Sequence, residues 1–485
     1  MKRLLSNTLW AFIGNVIVKA SNTVLFIFIG RLIGPTEAGT FNLSITYFTI
    51  ALALSAWGLH ELLVREVAPR RQESKYYLVH YLTLRLLLSG IAYVILLLLL
   101  RFSLPYTADT KVTIRILTLA IFPESIFTVI QALFTAHERL FVPTLAALIN
   151  GCIKVILGML LLLRGTDTIA LAWIIVLGSS ASLLIFVPTL WQLFQEFPQK
   201  SSRFDWPFLW TQLRFTPGFI MIGLFTTLDF QIDALLISIL LSEQELGYYG
   251  AAQTIMLGFW MMPAALRSAL YPLIARYYYE SPTALALLYQ RTNRYILLLV
   301  LPICAVITLF SHPLIRLIFG KTFNPAAVAL PWMIWAVVFS FLTVPNARLM
   351  LVSNWQQQAG WITGLSMVAN LGLNLWLIPY WGITGAAIAR TGASFLFFMV
   401  MYICVQRYLL RESMVNLIGR PLLATFFMTV TLWLTHDLFP LWSIMLGVAV
   451  YIIIIVSLKT IPEQDRQLLR QLIFPRILTH ATNDT

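Results

Sequence analysis

The chain has 485 residues, of which 59% are hydrophobic and only 11% are charged, and its net charge is +13. A soluble globular domain carries about 25% charged residues, so the composition excludes that class and indicates a helical membrane protein with many spans. The basic excess is then explained by loops that fix one side of the chain in the cytoplasm, and it does not indicate nucleic acid as a partner.

Fourteen apolar stretches of membrane-spanning length follow one another along the chain, and the first is interpreted as an uncleaved helix. Turn-forming or charged segments such as Gly34-Pro35 and Asn324-Pro325 separate them. The predicted spans are 8–30, 40–64, 77–100, 113–136, 142–163, 169–193, 215–241, 247–275, 292–319, 326–347, 358–379, 383–405, 420–436 and 440–458.

The distribution of positive charge predicts how these spans are oriented. With the N-terminus in the cytoplasm, the inner segments carry 21 Lys and Arg residues and the outer loops carry 7. Cytoplasmic loops are the ones enriched in Lys and Arg. Both termini are therefore predicted to be cytoplasmic.

Two segments 208 residues apart resemble each other. Residues 32–41, LIGPTEAGTF, align with residues 240–249, LLSEQELGYY, through a Leu, a Glu, a Gly and an aromatic residue. The repeat predicts that spans 1–6 and 7–12 form two lobes of the same orientation, which face each other across a cleft. The predicted domains are an N-terminal lobe, a C-terminal lobe, two appended spans and a cytoplasmic tail, at 1–200, 201–412, 413–460 and 461–485.

Two carboxylates, Asp229 and Asp233, lie four residues apart in span 7 and therefore share one helix face. A charge at that depth costs several kcal/mol unless it is paired or hydrated. Together with Glu61 of span 2, they are candidates for coupling to a cation or for gating. The structural alternative is an ion pair that holds helices together, for which Arg267 of span 8 is an available partner.

Four basic residues, Lys19, Lys154, Arg267 and Arg390, lie deep within predicted spans and come from both halves of the chain. Arg binds phosphate through a bidentate fork and Lys binds it as a point charge. The four residues are therefore predicted to line a cavity for an anionic substrate such as a phosphate or a pyrophosphate. Snorkelling to a helix end, or pairing with the buried acids, is the alternative.

Three amides within spans, Asn15, Asn370 and Asn374, are further candidates for the cavity. Such groups bind sugars, but they also hydrogen-bond one helix to another, and the residues alone leave both interpretations open. Neither catalysis nor a cofactor is predicted. The six His and three Cys residues show no metal or disulfide spacing.

Three stretches resemble the polysaccharide exporters, which are the Wzx-type oligosaccharide flippase branch of the MOP superfamily. This superfamily also includes the MATE drug exporters and the lipid II flippases. The stretches are residues 31–39, RLIGPTEAG, residues 245–252, ELGYYGAA, and residues 370–389, NLGLNLWLIPYWGITGAAIA. The third is the most specific, because it is similar to the family pattern NxxLNxxLIPxyGixGAAiA.

The resemblance implies an all-α membrane protein with two six-helix lobes around a central cavity, in the inner (cytoplasmic) membrane. It implies that a polyprenyl-pyrophosphate-linked oligosaccharide, for example an O-antigen unit of lipopolysaccharide, is moved from the inner to the outer leaflet by alternating access. Cavity cations would engage the pyrophosphate. A gradient of H⁺ or Na⁺, or the membrane potential, would drive the cycle. The partners implied are membrane lipids, a polysaccharide polymerase and glycosyltransferases.

A MATE-like, cation-coupled exporter of small molecules is the alternative function. Many MATE exporters carry an acidic residue in span 1, where this chain has Lys19. Glu61 lies between His60 and Leu62, where many relatives have a D-x-G ending, so the role of that segment is not transferred to it. A membrane glycosyltransferase would need a large outer loop with an acidic pair, and the outer loops are short.

Overall fold

The computed structural model describes residues 2–102, 105–197, 205–214, 217–260, 262–412, 415–435, 439–460, 462–463 and 465. Within these ranges the chain forms α-helices, three short 3₁₀ helices and the turns between them, and no strand. The predicted all-α class is therefore confirmed.

Twenty α-helices follow one another along the described residues. In chain order they are α1 Lys2–Leu32, α2 Pro35–Ala56, α3 Leu59–Val67, α4 Ser74–Phe102, α5 Ala108–Thr118, α6 Ile121–Ala136, α7 Phe141–Leu163, α8 Thr168–Ser182, α9 Phe186–Glu196, α10 Trp206–Arg214, α11 Pro217–Leu240, α12 Glu243–Trp260, α13 Met262–Glu280, α14 Pro282–Leu309, α15 Ser311–Phe319, α16 Ala326–Met333, α17 Trp335–Val352, α18 Gln356–Tyr408, α19 Val415–Leu434 and α20 Pro440–Ser457. The 3₁₀ helices are Arg71–Glu73, Leu183–Ile185 and Lys321–Phe323.

Eleven helical stretches of the described chain are long and apolar enough to cross a membrane. One of them, α18, covers two of the predicted spans. The second predicted span is divided, because Trp57 and Gly58 adopt positive φ angles of 47° and 66° between α2 and α3. The eighth predicted span, 247–275, falls on α12 and α13, which lie on either side of residue 261, outside the described residues.

The chain reverses direction within α18 at Gly382, whose φ of 56° and ψ of −137° are not helical. In a straight helix, Leu377 and Gly385 would lie about 12 Å apart along the axis. Instead, a Cβ atom on Gly385 would overlap the backbone carbonyl of Leu377. The turn confirms the predicted separation of spans 358–379 and 383–405, and it allows both halves of α18 to reach one site.

Contacts divide the chain into two compact units, of which the first comprises Met1–Gly258, Ile315–Met333 and Gln356–Phe397. In this unit α1 packs against α7, and α2 packs against α4, α5 and α11. A large buried cluster includes Leu62, Tyr81 and Phe134, which belong to α3, α4 and α6. This packing places the first span of the second predicted lobe directly against the first lobe.

The second unit comprises Phe259–Leu314, Ile334–Trp355 and Phe398–Thr485. Here α13 packs against α17, and α14 packs against α17 and α19. The predicted appended spans, α19 and α20, form a core with Met428 and Leu432, and the Tyr451 hydroxyl donates to the Leu298 carbonyl of α14 at 2.7 Å. The division of the chain into two six-span lobes remains a prediction.

Candidate functional site

The two carboxylates of α11 differ in burial, although one helical turn separates them. The Asp233 side chain is fully buried, whereas the Asp229 side chain retains 19% of its exposure. The helix face that they share is connected to α12 and α18 by hydrogen bonds. A carboxylate this deeply buried requires a charged partner or several hydrogen-bond donors.

Arg390 of α18 is the partner of both carboxylates. Its Nε donates to Asp233 Oδ2 at 2.7 Å, and its Nη1 donates to Asp229 Oδ2 at 2.9 Å. Its Nη2 donates to the backbone carbonyl of Asp229. The guanidinium group also lies 5.5 Å from the ring centre of Phe230 and is almost fully buried. Charge-assisted bonds of this kind are strong, so Arg390 ties α18 to α11.

Two amides and a phenol complete the shell around Asp233. Asn370 and Asn374 donate to Asp233 Oδ1 at 3.1 and 2.9 Å, and the Tyr249 hydroxyl donates to Oδ2 at 2.7 Å. Asp233 therefore accepts four hydrogen bonds from three helices or helix halves. We call these six residues, Asp229, Asp233, Tyr249, Asn370, Asn374 and Arg390, the α11–α18 network.

The α11–α18 network holds one negative charge more than it holds positive charges. Asp229 and Asp233 are two carboxylates against the single guanidinium of Arg390. Asp233 is fully hydrogen-bonded, but Asp229 Oδ1 is buried and has no hydrogen-bond partner among the described residues. The excess charge is therefore concentrated on Asp229, where a proton or a small cation would neutralise it. The described residues contain no cluster of three or more His, Cys, Asp or Glu suited to a metal ion.

The structure unites five of the ten predicted site residues, which the sequence had divided between two roles. Asn370, Asn374 and Arg390 were predicted to line the cavity, and Asp229 and Asp233 were predicted to couple or gate. The suggestion that Arg267 is the ionic partner of the carboxylates is wrong, because Arg390 makes those bonds.

Tyr249 was not predicted as a site residue. It belongs to the ELGYYGAA stretch that carries part of the family resemblance, so that motif contained the signal.

Lys154 and Glu61 lie in a different group of charges, in the first unit. Lys154 of α7 interacts electrostatically with Glu124 of α6, and Glu124 interacts with Arg85 of α4. Arg85 is buried and also lies within the field of Glu61. Glu124 was missed in the sequence, although it is an acidic residue within a predicted span. The group combines two acids with two bases, which is the composition of a structural charge network.

The last two predicted residues lie on α1. Lys19 is exposed on this helix and has an interaction partner. The side chain of Asn15 lies outside the described residues.

The two copies of the internal repeat cross each other at a pair of glycines. A Cβ on Gly39 would overlap the carbonyl oxygen of Glu243, and a Cβ on Gly247 would overlap the carbonyl oxygen of Pro35. These positions are related by the same 208-residue offset as the sequence repeat, so the contact is reciprocal. Small residues permit two helices to approach this closely.

Hydrogen bonds surround the glycine crossing, and one of them, from Thr40 to Glu243, joins the two copies. Glu243 accepts from Thr110 at 2.6 Å and from Thr40 at 3.5 Å. In the other copy, Glu37 accepts from Thr168 at 2.8 Å. By the charge rule this end of the helices faces outward. The crossing therefore lies at the end of the first unit that is predicted to be the outer one.

The fold occurs in solved structures of membrane transporters. The lipid II flippase MurJ, in an inward closed conformation, matches with a TM-score of 0.74 at 15% identity, over 96% of this chain and 100% of that chain. A multidrug resistance MATE family transporter of the MOP superfamily, in its inward-facing conformation, matches with a TM-score of 0.67 at 15% identity, over 83% and 98%. The chain thus has the MurJ- and MATE-like transporter fold.

A family model identifies the chain more narrowly. Residues 28–328 match the family described as polysaccharide biosynthesis protein. The match spans more than half of the chain, so the protein belongs to this polysaccharide biosynthesis family. No curated protein sequence matches it. The resemblance to polysaccharide exporters that the three sequence stretches indicated is confirmed.

Proposed function

We propose that this protein moves a polyprenyl-pyrophosphate-linked oligosaccharide from the inner to the outer leaflet of the cytoplasmic membrane by alternating access. The observation that carries the proposal is the reciprocal crossing at Gly39 and Gly247, in a member of the polysaccharide biosynthesis family. Alternating access requires a contact that closes one end of a cleft while the other end stays accessible. A crossing of two repeat copies at the outer end meets that requirement.

In the proposed cycle the substrate enters from the inner leaflet while the glycine crossing is closed. Basic side chains in the spans bind the pyrophosphate, the polar part moves through the interior, and the isoprenoid tail stays in lipid. Opening of the crossing then releases the sugar on the outer side. The crossing has no side chain to withdraw, which suits a contact that must form and separate in each cycle.

We assign two different roles within the α11–α18 network. Asp233 has four donors, so it fixes α11, α12 and α18 to one another. Asp229 carries the excess charge and an unpartnered oxygen, so it is the group that exchanges a proton or a sodium ion during transport. Binding of the cation at Asp229 would loosen its bond to Arg390 and so couple the gradient to helix movement.

The alternative, a MATE-like exporter of cationic small molecules, receives less support. A cationic substrate requires a carboxylate that is free to receive it. Asp233 is occupied by Arg390 and three neutral donors, and Asp229 shares the same guanidinium. The charge of the network does not decide between the two functions, since its excess is negative, and the match to the polysaccharide biosynthesis family is what favours the lipid-linked substrate.

The experiment that tests the function is deletion of the gene in its own host. We expect polyprenyl-linked glycan units to accumulate, protected from enzymes added outside intact cells, and the mature envelope polysaccharide to disappear. The wild-type gene should restore both. The exporter alternative is tested in the same strains by efflux of cationic dyes. Normal polysaccharide in a deletion strain that has no second copy of the gene would contradict the proposed function.

A further inference from the structure

The segment Ile315–Met333 belongs to the first compact unit, although the chain immediately before and after it belongs to the second. It contains the end of α15, the 3₁₀ helix Lys321–Phe323 and α16. We call this segment the outer hairpin, because it connects predicted spans 9 and 10 at the end that the charge rule directs outward. Its place in the first unit depends on contacts with the helices of that unit.

Arg31, which follows predicted span 1 at its outer end, binds the carboxyl end of α15. Its Nε donates to the Ile318 carbonyl at 2.6 Å, and its Nη2 donates to the Leu317 carbonyl. The last carbonyls of a helix lack partners within it, and that end carries a partial negative charge. A guanidinium group suits this end, because its forked N–H groups reach two carbonyls at once. Arg31 thus ties α1 to a residue 287 positions later in the chain.

Two phenylalanines of the outer hairpin, Phe319 and Phe323, are fully buried against α1. A Cβ atom on Gly30 would lie 2.9 Å from Phe323 Cζ and 3.3 Å from Phe319 Cδ1, so the absence of a side chain there makes room for both rings. The Phe319 ring centre also lies 5.9 Å from that of Phe26, one turn earlier on α1. Apolar packing therefore holds the hairpin together with the Arg31 bonds.

The outer hairpin also contacts α12, directly beside the glycine crossing. The Phe323 ring centre lies 5.9 Å from that of Tyr248, which follows Gly247 in the chain. On the other side, Arg31 precedes Pro35 by four residues, and the Pro35 carbonyl is the group that meets Gly247. One hairpin thus holds the chain on both sides of the crossing.

A matching contact occurs in the other half of the predicted repeat. Spans 3 and 4 correspond to spans 9 and 10, and Thr110 lies in the outer connection between spans 3 and 4. The Thr110 hydroxyl donates to Glu243 Oε1 at 2.6 Å, in the connection between spans 7 and 8. In the equivalent pair, the outer hairpin binds Arg31, in the connection between spans 1 and 2. The relation occurs in both copies, so it is a property of the repeat at its outer end.

We infer that Arg31 and the outer hairpin form a latch on the glycine crossing, which must release before the outer end opens. Separation of α2 from α12 would have to break the Arg31 bonds to α15 or part Phe323 from Tyr248. Arg31 is exposed, so water replaces the carbonyl bonds on release and the latch is reversible. The inference rests on the proposed function in so far as the outer end opens during transport.

The direct test is a measurement of distances between spin labels on the full-length protein in phosphatidylcholine nanodiscs, with its three cysteines replaced. Labels at the exposed residues Thr36 and Thr322 report the hairpin, and labels at Thr36 and Gln244 report the crossing. The variant Arg31→Met keeps an apolar stem of similar length and loses the donors. We expect it to raise the ratio of long to short distances at least about tenfold for both pairs.

Two further variants separate the latch from an effect of charge. Lys321→Met is the matched control, since Lys321 is an exposed basic residue of the same hairpin, and it should leave both distance distributions unchanged. Gly30→Ala retains Arg31 but places a methyl group 2.9 Å from the Phe323 ring. It should displace the hairpin and lengthen both distances.

A purely structural role for Arg31 would give a different pattern. If Arg31 only caps α15, Arg31→Met lengthens the Thr36–Thr322 distance and leaves the Thr36–Gln244 distance as in the wild type, which overturns the inference. Unchanged distances for both pairs overturn it as well. An opened crossing in Arg31→Met, in a protein whose deletion leaves the envelope glycan unchanged, would retain the latch and reject only the proposed function.

Discussion

Asp233 and Arg390 are separated by 157 residues and are joined by a hydrogen bond of 2.7 Å. Both side chains are almost completely buried, with 0% and 2% of their surface exposed. The bond is possible because α18 turns back at Gly382 and brings Arg390 to the same carboxylate as Asn374. A buried pair of this kind is strongly destabilising when only one partner is removed.

The substitution Asp233→Asn should therefore destabilise the protein severely. It leaves the Arg390 guanidinium bound only to Asp229 and places an amide NH₂ among groups that are themselves donors. The expected loss is about 3–5 kcal/mol, seen as a lower melting temperature and poor recovery of monodisperse protein. Asp109→Asn, at an exposed position in the first turn of α5, is the control and should change stability by less than about 1 kcal/mol. Equal stability of the two variants would contradict the structural role of Asp233.

The substitution Asp229→Asn should leave the protein folded but abolish its coupling to a cation gradient. It removes the excess negative charge of the α11–α18 network, while Asp233 continues to balance Arg390. We expect a folded protein that no longer responds to a proton or sodium gradient. The measurement is transport in proteoliposomes with and without an imposed gradient. If the variant is stimulated by the gradient as strongly as the wild type, the coupling role of Asp229 is wrong.

The sequence contained the elements of this network but not its pairing. The spacing of Asp229 and Asp233 predicts a common helix face, and apolar surroundings predict that every buried cation needs a partner. Those rules cannot choose between Arg267 and Arg390, because both lie in later spans and the choice depends on how the helices pack. Glu124 was overlooked for a related reason, since its partners Lys154 and Arg85 come from two other spans.

The internal repeat predicted more of the structure than the charged residues did, because residues related by its offset contact each other in the fold. The 208-residue offset that aligns Gly39 with Gly247 also relates Pro35 to Glu243, and these two pairs make the reciprocal contact. The sequence could not show that the two glycines touch each other. That fact depends on α2 and α12 crossing at their first turns.

Replacement of either glycine by alanine should prevent closure of the crossing. The Cβ of Gly39→Ala would overlap a backbone carbonyl, which cannot move aside as a side chain can. We expect transport to fall sharply and the distance between spin labels at Thr36 and Gln244, which are exposed equivalents in the two copies, to increase. The labels require a background in which Cys152, Cys304 and Cys404 are replaced.

Gly90→Ala is the matched control for the glycine variants. Gly90 lies in α4, and a Cβ there would meet nothing within 4 Å. Alanine favours a helix over glycine by about 1 kcal/mol, so this variant should keep its label distance and its transport. If Gly39→Ala behaves like Gly90→Ala, the crossing is not a gate.

His137 should make the stability of the protein sensitive to acid. Burial, followed by the charges of Arg71 and Arg139, lowers the pKa of this side chain from its ordinary value of 6.5 to about 4. Its Nε2 is hydrogen-bonded to Ser74 Oγ at 2.9 Å, whereas its Nδ1 is buried without a partner. The folded protein therefore holds His137 neutral, and a proton added at Nδ1 would find no acceptor.

The sign of the effect follows from the lowered pKa. Above pH 6.5 the His137 side chain is neutral in both the folded and the unfolded states, so its titration does not lower the free energy of unfolding there. Between pH 6.5 and 4 the unfolded state binds the proton more readily, and stability should fall by roughly 1–3 kcal/mol.

Melting temperatures of the wild type and of His137→Asn, measured from about pH 7.5 to about pH 4.5, check this. The variant should start lower and lose less over that range, whereas the exposed-site control His312→Asn should decline as the wild type does. Parallel curves for the wild type and His137→Asn would mean that other groups govern the acid sensitivity, because removing the titrating imidazole would then have left the proton linkage unchanged.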